Sequence, residues 1–213
     1  MSPTVYRIHT PHLVVRCWEP ADAPQLMAAK NASKEHLLPW MPWALGEPSD
    51  LAANLALIRA WHAQFDTDQD YVYGIFDRTN LAAVGGTGLH ERIGKNAREI
   101  GYWVCAGATN RGIATEAAAA LTKVGFEFLG LERMEIHCDV RNVWSAAIPR
   151  KLGYVHDATL RRRAITVGAP ADSMIWTLFA DEYPGSPAAQ IEIEAFDVLG
   201  NRLTPQAGQE TQP

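Results

Sequence analysis

Cysteine is scarce in this chain. Cys17, Cys105 and Cys138 are an odd number, widely spaced and without a CxxC pair, which excludes a disulfide framework and a cysteine-based zinc site and leaves buried thiols on strands as the expectation. Long apolar runs are missing too: none approaches the roughly 20 residues that cross a bilayer. Met1 to Arg7 lack the basic segment and apolar stretch of a secretory signal, so a cytoplasmic protein without a membrane partner is expected. Charge of one sign never accumulates beyond three residues, and the formal net charge is -5. A nucleic-acid partner is therefore not expected, and cationic small molecules or basic peptides suit the balance better. The histidines His36, His62, His90, His137 and His156 are scattered without metal spacing; packed or surface roles and no metal follow.

What is present is a globular composition, 47% hydrophobic over 213 residues, enough for one sizeable core. His12 to Trp18 reads as a strand, and Glu19-Pro20-Ala21-Asp22 leads into a helix from Pro24 to Lys30 and a short second helix. Leu37 to Trp43, broken by Pro39 and Pro42, is an aromatic loop. Ser49-Asp50 offers caps for a helix through Phe65, with Leu51, Leu55, Ile58 and either Trp61 or His62 on one stripe. Strands over residues 70–76, 81–90 and 98–105 have short links and form an antiparallel meander. Gly85 to Gly88 softens the middle strand and suits a bulge. A helix from Ala114 to Phe128 crosses over to a strand over 133–140, parallel to its predecessor. A helix over 143–152 and strands over 154–164 and 173–179 follow. Pro184-Gly185-Ser186-Pro187 marks a boundary between a domain over residues 1–183 and an extension over 184–213. That extension carries an added strand or hairpin near Ile191 to Val198, a Gly200-Asn201 turn and a disordered end from Pro205.

The most informative stretch is the loop and helix start Thr109-Asn110-Arg111-Gly112-Ile113-Ala114-Thr115. A helix N-terminus carries unpaired N–H groups and partial positive charge, and Gly112 and Ala114 are small where phosphates would approach the backbone. Nucleotide alternatives fail: GxxxxGK[ST] is absent, and Gly86-Thr87-Gly88 has Glu91 where a dinucleotide loop has its third glycine.

The loop matches the pattern Q/R-x-x-G-x-G/A at Gly112 and Ala114 and departs from it at Thr109. With Glu99-Ile100-Gly101-Tyr102-Trp103-Val104 before it, and Asn142 to Ser145, Lys151-Leu152-Gly153-Tyr154 and Leu38-Pro39-Trp40-Met41-Pro42-Trp43 around it, the chain resembles the GNAT superfamily of N-acetyltransferases, in particular its RimJ/RimL branch, from about His12 to Tyr183.

That resemblance implies an α/β fold with a mixed, mostly antiparallel sheet of about seven strands and about four helices, splayed between the fourth and fifth strands to admit the pantetheine arm. It also implies an enzyme that carries acetyl from acetyl-CoA to a primary amine by direct attack in a ternary complex. Val104, Thr109, Asn110, Arg111, Gly112, Ile113, Ala114, Thr115, Asn142 and Ser145 would bind the cofactor, and edge amides near Val104 and Cys105 would meet the thioester oxygen across a bulge. Glu99 would act as general base or amine-orienting carboxylate, Ser145 would serve the leaving thiolate, and Trp40 and Trp43 would line the acceptor pocket. Tyr102 and Tyr154 read more readily as packing than as proton donors, and Arg161 to Arg163 as a solvated strand face. The residues leave the acceptor open between a protein N-terminus and a small amine, and a homodimer paired through the C-terminal strand is an option. Thr109, and the absence of an acid between Thr159 and Asp172, keep a catalytically silent acyl-CoA-binding module as the alternative.

Overall fold

The computed structural model describes residues 4–46, 50–164 and 170–206. In chain order the elements are β1 (Arg7–His9), β2 (Leu13–Cys17), α1 (Ala23–Leu37), α2 (Trp43–Gly46), α3 (Leu51–Asp66), β3 (Tyr71–Asp77), β4 (Ala83–His90), β5 (Ala97–Val104), α4 (Ile113–Glu127), β6 (Arg133–Asp139), α5 (Val143–Leu152), β7 (Val155–Ala164), β8 (Ala171–Phe179) and β9 (Glu194–Phe196). Nine strands form one sheet in the order β7-β8-β6-β5-β4-β3-β2-β1-β9, so among the described residues nine strands and five helices replace the expected seven and four. The two added strands are the short β1 and β9, each three residues long; β1 lies between β2 and β9, and β9 forms the sheet's edge within the added strand expected near Ile191 to Val198. The two helices expected before Leu37 are one, because no breaker interrupts Ala23 to Leu37.

The expected meander of β3, β4 and β5 is antiparallel, and β5 and β6 run parallel. A register irregularity falls between Ile75 and Phe76, opposite Ala83 to Gly85, so the bulge lies at the start of the glycine run rather than within it.

Each face of the sheet carries its own core. On one side the small residues Ala117 to Ala120 are buried with Leu121 and Val124 and let α4 lie close against the strands, giving the larger core with Ile100, Met134 and Ile136. On the other side Val14, Trp18, Leu26, Ile58 and Phe76 form a smaller core under α1 and α3. Asp50 caps α3 by accepting from Ala53 N at 2.8 Å; Ser49 lies outside the described residues. The apolar stripe of α3 is shifted from expectation. Leu51 is exposed while Asn54, Ile58 and Phe65 are buried, and Trp61 rather than His62 packs on the smaller core.

The segment after Tyr183 is built into this frame. Lys123 Nζ donates to Ala189 O and Ile191 O at 3.2 and 3.1 Å, and β9 pairs antiparallel with β1 of its own chain. A turn at Gly200 returns the chain so that Phe196 bridges Arg202. Gln206, expected to be disordered, docks instead on the end of α4, its N–H on Glu127 O at 2.7 Å and its Nε2 on Phe128 O at 2.9 Å. The rest of that expected tail, 207–213, lies outside the described residues.

Candidate active site

The site begins where the sheet comes apart. β5 and β6 are paired only from Ala97 with Arg133 to Glu99 with Glu135, yet β5 continues to Val104 and β6 to Asp139. A wedge therefore opens between them. Cys105 N–H donates to Val84 O at 2.8 Å on the β4 side, so the Cys105 amide is not available to the wedge as expected. Strand alternation turns the N–H groups of Val104 and Tyr102 the other way, into the gap. No bulge is needed for this, and the β4–β5 register runs unbroken from Gly85 with Val104 to His90 with Glu99.

On the α4 and α5 side of the wedge lies a cavity of about 610 Å³ whose lining includes Trp103, Val104, Thr109, Asn110, Gly112 and Ala114. Gly112 is the N-cap of α4 with φ +79° and no side-chain cap on the helix, and a Cβ placed there would meet nothing within 4 Å. The first-turn amides of Ile113, Ala114 and Thr115 thus open onto a space no side chain fills. Asn142 caps α5, its Oδ1 accepting from Ser145 N at 3.0 Å, and both residues line the same cavity with Lys151. Arg111 does not line it; its guanidinium turns to Asp77 at 3.4 Å, because Asn110, at φ +59°, and Gly112 reverse the chain on either side.

On the opposite side, under α1 and α3, is a second cavity of about 840 Å³. Trp40, Met41, Tyr102, Trp103 and Ser145 border both spaces, so the two cavities meet at the wedge. Ser145 Oγ lies 3.1 Å from the Tyr102 hydroxyl. Burial pushes the Tyr102 phenol far above its ordinary range and raises the Cys138 thiol as well. Both stay protonated at neutral pH: Tyr102 can donate, and Cys138 is a poor nucleophile.

The residues from His12 to Val155 match the profile of the acetyltransferase (GNAT) domain, which covers more than half of the chain. The chain belongs to the GNAT acetyltransferase family. It is an enzyme of that family, and its relatives point to the RimJ/RimL type. Over 176 residues it is 27% identical to a protein named as the ribosomal N-acetyltransferase YdaF of Bacillus subtilis (strain 168), covering 82% of this chain and 94% of the relative. A Vibrio cholerae structure named for ribosomal-protein-serine acetyltransferase superposes with TM-score 0.68 at 25% identity, covering 84% of this chain and 99% of the other. Mycobacterium smegmatis RimJ in complex with CoA-disulfide shares the fold at TM-score 0.77 and 24% identity, covering 89% and 95%.

In this acetyltransferase the larger cavity holds groups that sequence reasoning missed. Register sets His90, Glu99 and Glu135 side by side on one sheet face, and alternation adds Gly88, Gly101 and His137 to it. Glu99, buried, is gripped by Arg92 through Nε at 2.7 Å and Nη2 at 2.6 Å. His137 stands between two acids, its Nε2 2.6 Å from Glu135 and its Nδ1 3.4 Å from Glu99. Arg141 holds the Asp139 carboxyl below the usual range. His90 Nδ1 lies 2.9 Å from Asp70. Trp43 meets Trp103 edge to face at 6.0 Å and lines this cavity, as Trp40 does. The signal that could have found the missed residues is strand parity combined with register, and register is not a local property. No group of three or more His, Cys, Asp or Glu placed to hold a metal occurs among the described residues.

Proposed function

We propose that this enzyme transfers the acetyl group of acetyl-CoA to a primary amine by direct attack, with both substrates bound at once. The observation that carries this is the pair of cavities opening onto one wedge at Tyr102, Trp103 and Ser145. The helix-side cavity fits the co-substrate: the uncapped first turn of α4, with open space at Gly112, suits phosphates, and Asn142 and Lys151 add polar and cationic lining. Bound there, acetyl-CoA supplies an electrophilic thioester. Val104 and Tyr102 offer N–H donors, free of the sheet ladder, to its carbonyl oxygen. Ser145, backed by the protonated Tyr102 hydroxyl, serves the departing thiolate. The raised Cys138 thiol argues against a covalent acetyl-cysteine route.

Acceptor recognition falls to Trp40, Trp43 and Glu99. An aromatic wall beside a carboxylate attracts an ammonium group and orients it. Relatives named for ribosomal proteins favour a protein N-terminal amine over a free small amine, in the cytoplasm. The test follows release of CoA thiol from acetyl-CoA with a panel of N-terminal peptides, polyamines and amino acids. Acetylated peptide with thiol release is expected. Saturable acetyl-CoA binding without release for any acceptor would identify a silent acyl-CoA-binding module instead.

A further inference from the structure

The proposed reaction needs a group that removes a proton from the ammonium form of the acceptor, and the acceptor cavity holds three candidates. Glu99 already accepts two charge-assisted bonds from Arg92. Both ring nitrogens of His137 face carboxylates, Glu135 and Glu99. His90 differs. Its Nδ1 is engaged by Asp70 at 2.9 and 3.1 Å, while Nε2 has no protein partner among the described residues. The ring lies over a glycine floor: a Cβ at Gly88 would come within 2.8 Å of Nε2 and a Cβ at Gly101 within 3.1 Å. Gly101 directly precedes Tyr102, whose N–H faces the wedge. Glycine at these two positions is what lets the imidazole lie flat against the sheet at the mouth of the wedge.

We infer that His90, oriented by Asp70, is the general base of the acetyl transfer. A carboxylate on Nδ1 fixes the proton there and leaves the Nε2 lone pair facing the cavity. Nε2 takes one proton from the acceptor ammonium and frees the nitrogen lone pair. The N–C bond forms, the C–S bond breaks, and the second amine proton leaves with the thiolate through Ser145. The imidazolium then loses its proton to solvent. Asp70 is a positioning residue. The other charges lining the cavity are the Glu99–Arg92 pair, His137, Lys30 of α1, Asp139 of β6 and Arg163 of β7.

This inference rests on the proposed amine acetylation, and the experiment separates the two. In the free wild-type protein, selective ¹⁵N imidazole NMR should place the proton of the neutral form of His90 on Nδ1, and Asp70→Asn should disturb that tautomer. A proton on Nε2 overturns the inference whether or not an acceptor is known. With an active acceptor, His90→Ala and His90→Gln should lower kcat by about 100-fold or more with acetyl-CoA affinity unchanged, and should flatten the acid limb of the kcat/KM profile. Imidazole added to His90→Ala should restore part of the rate, since the glycine floor leaves room for it. Wild-type rates in both variants, or an unchanged acid limb, would refute the base. If no amine is acetylated by wild type while the NMR shows the Nδ1 tautomer, the acetylation reading fails and the oriented imidazole stands.

Discussion

Replacing Gly112 by alanine separates the two duties of that residue. Its φ of +79° is the left-handed conformation, which costs an L-residue about 1–2 kcal/mol. A Cβ there meets nothing within 4 Å, so no steric clash adds to this. For a chain of this size 1 kcal/mol moves Tm by roughly 2–4 °C, and Gly112→Ala should therefore melt about 2–8 °C lower. Gly200 supplies a matched control. Its φ is +81° and its added Cβ would make only an ordinary 3.6 Å contact with Arg7, far along the sheet from the wedge, so Gly200→Ala should lose a similar increment of Tm. The two should part in calorimetric titration with CoA. In Gly112→Ala the methyl enters the space onto which the first-turn amides of α4 open, and affinity should fall about tenfold or more, equivalent to about 1.4 kcal/mol. Gly200→Ala should bind as wild type does. If Gly112→Ala loses the expected stability yet binds CoA with unchanged affinity, the phosphates do not sit at this helix start.

Tyr102→Phe removes the hydroxyl that meets Ser145 Oγ at 3.1 Å and Ser145 O at 3.2 Å; a loss of about 1 kcal/mol in denaturant unfolding is expected, with kcat reduced far more than acetyl-CoA affinity, and an unchanged kcat would remove the phenol from the proton path. Burial raises the Tyr73, Tyr102 and Tyr154 phenols well above their ordinary value near 10. The folded state then keeps protons that the unfolded state loses, so their contribution is intact below about pH 10 and declines above it, by about 4 kcal/mol per pH unit for the three together. Tyrosinate absorbance at 295 nm should rise for these three only as far-ultraviolet circular dichroism collapses, and their ionisation near pH 10 in a folded protein would contradict the burial. Ending the chain at Tyr183 strips β9 from β1, exposes the β1 edge and removes the acceptors of Lys123 Nζ; a clear drop in Tm is expected, whereas ending it at Gln206 should leave Tm within a degree or two. Equal stability of the two truncations would make residues 184–206 a dispensable extension.

The loop and helix start at Thr109 to Thr115 were legible because helix-start chemistry is local: small residues, a glycine able to take positive φ, and an uncapped first turn are written in consecutive positions. The same holds for Asn142 and Ser145, one turn of α5 apart, and for the order of the meander and crossover, which short and long links dictate. The sequence by itself thus determined the fold class, the family resemblance and the loop and helix start that border the helix-side cavity. Only the tertiary structure decided what each strand edge exposes. Whether Val104 or Cys105 has a free amide depends on which faces β4, and that Glu99 is held by Arg92 depends on how the β4–β5 turn folds back. The dyad of Asp70 and His90, and the row it forms with Glu99, Glu135 and His137, come from four segments brought together by register. Register is fixed by the packing of the whole sheet, and no stretch of sequence carries it alone.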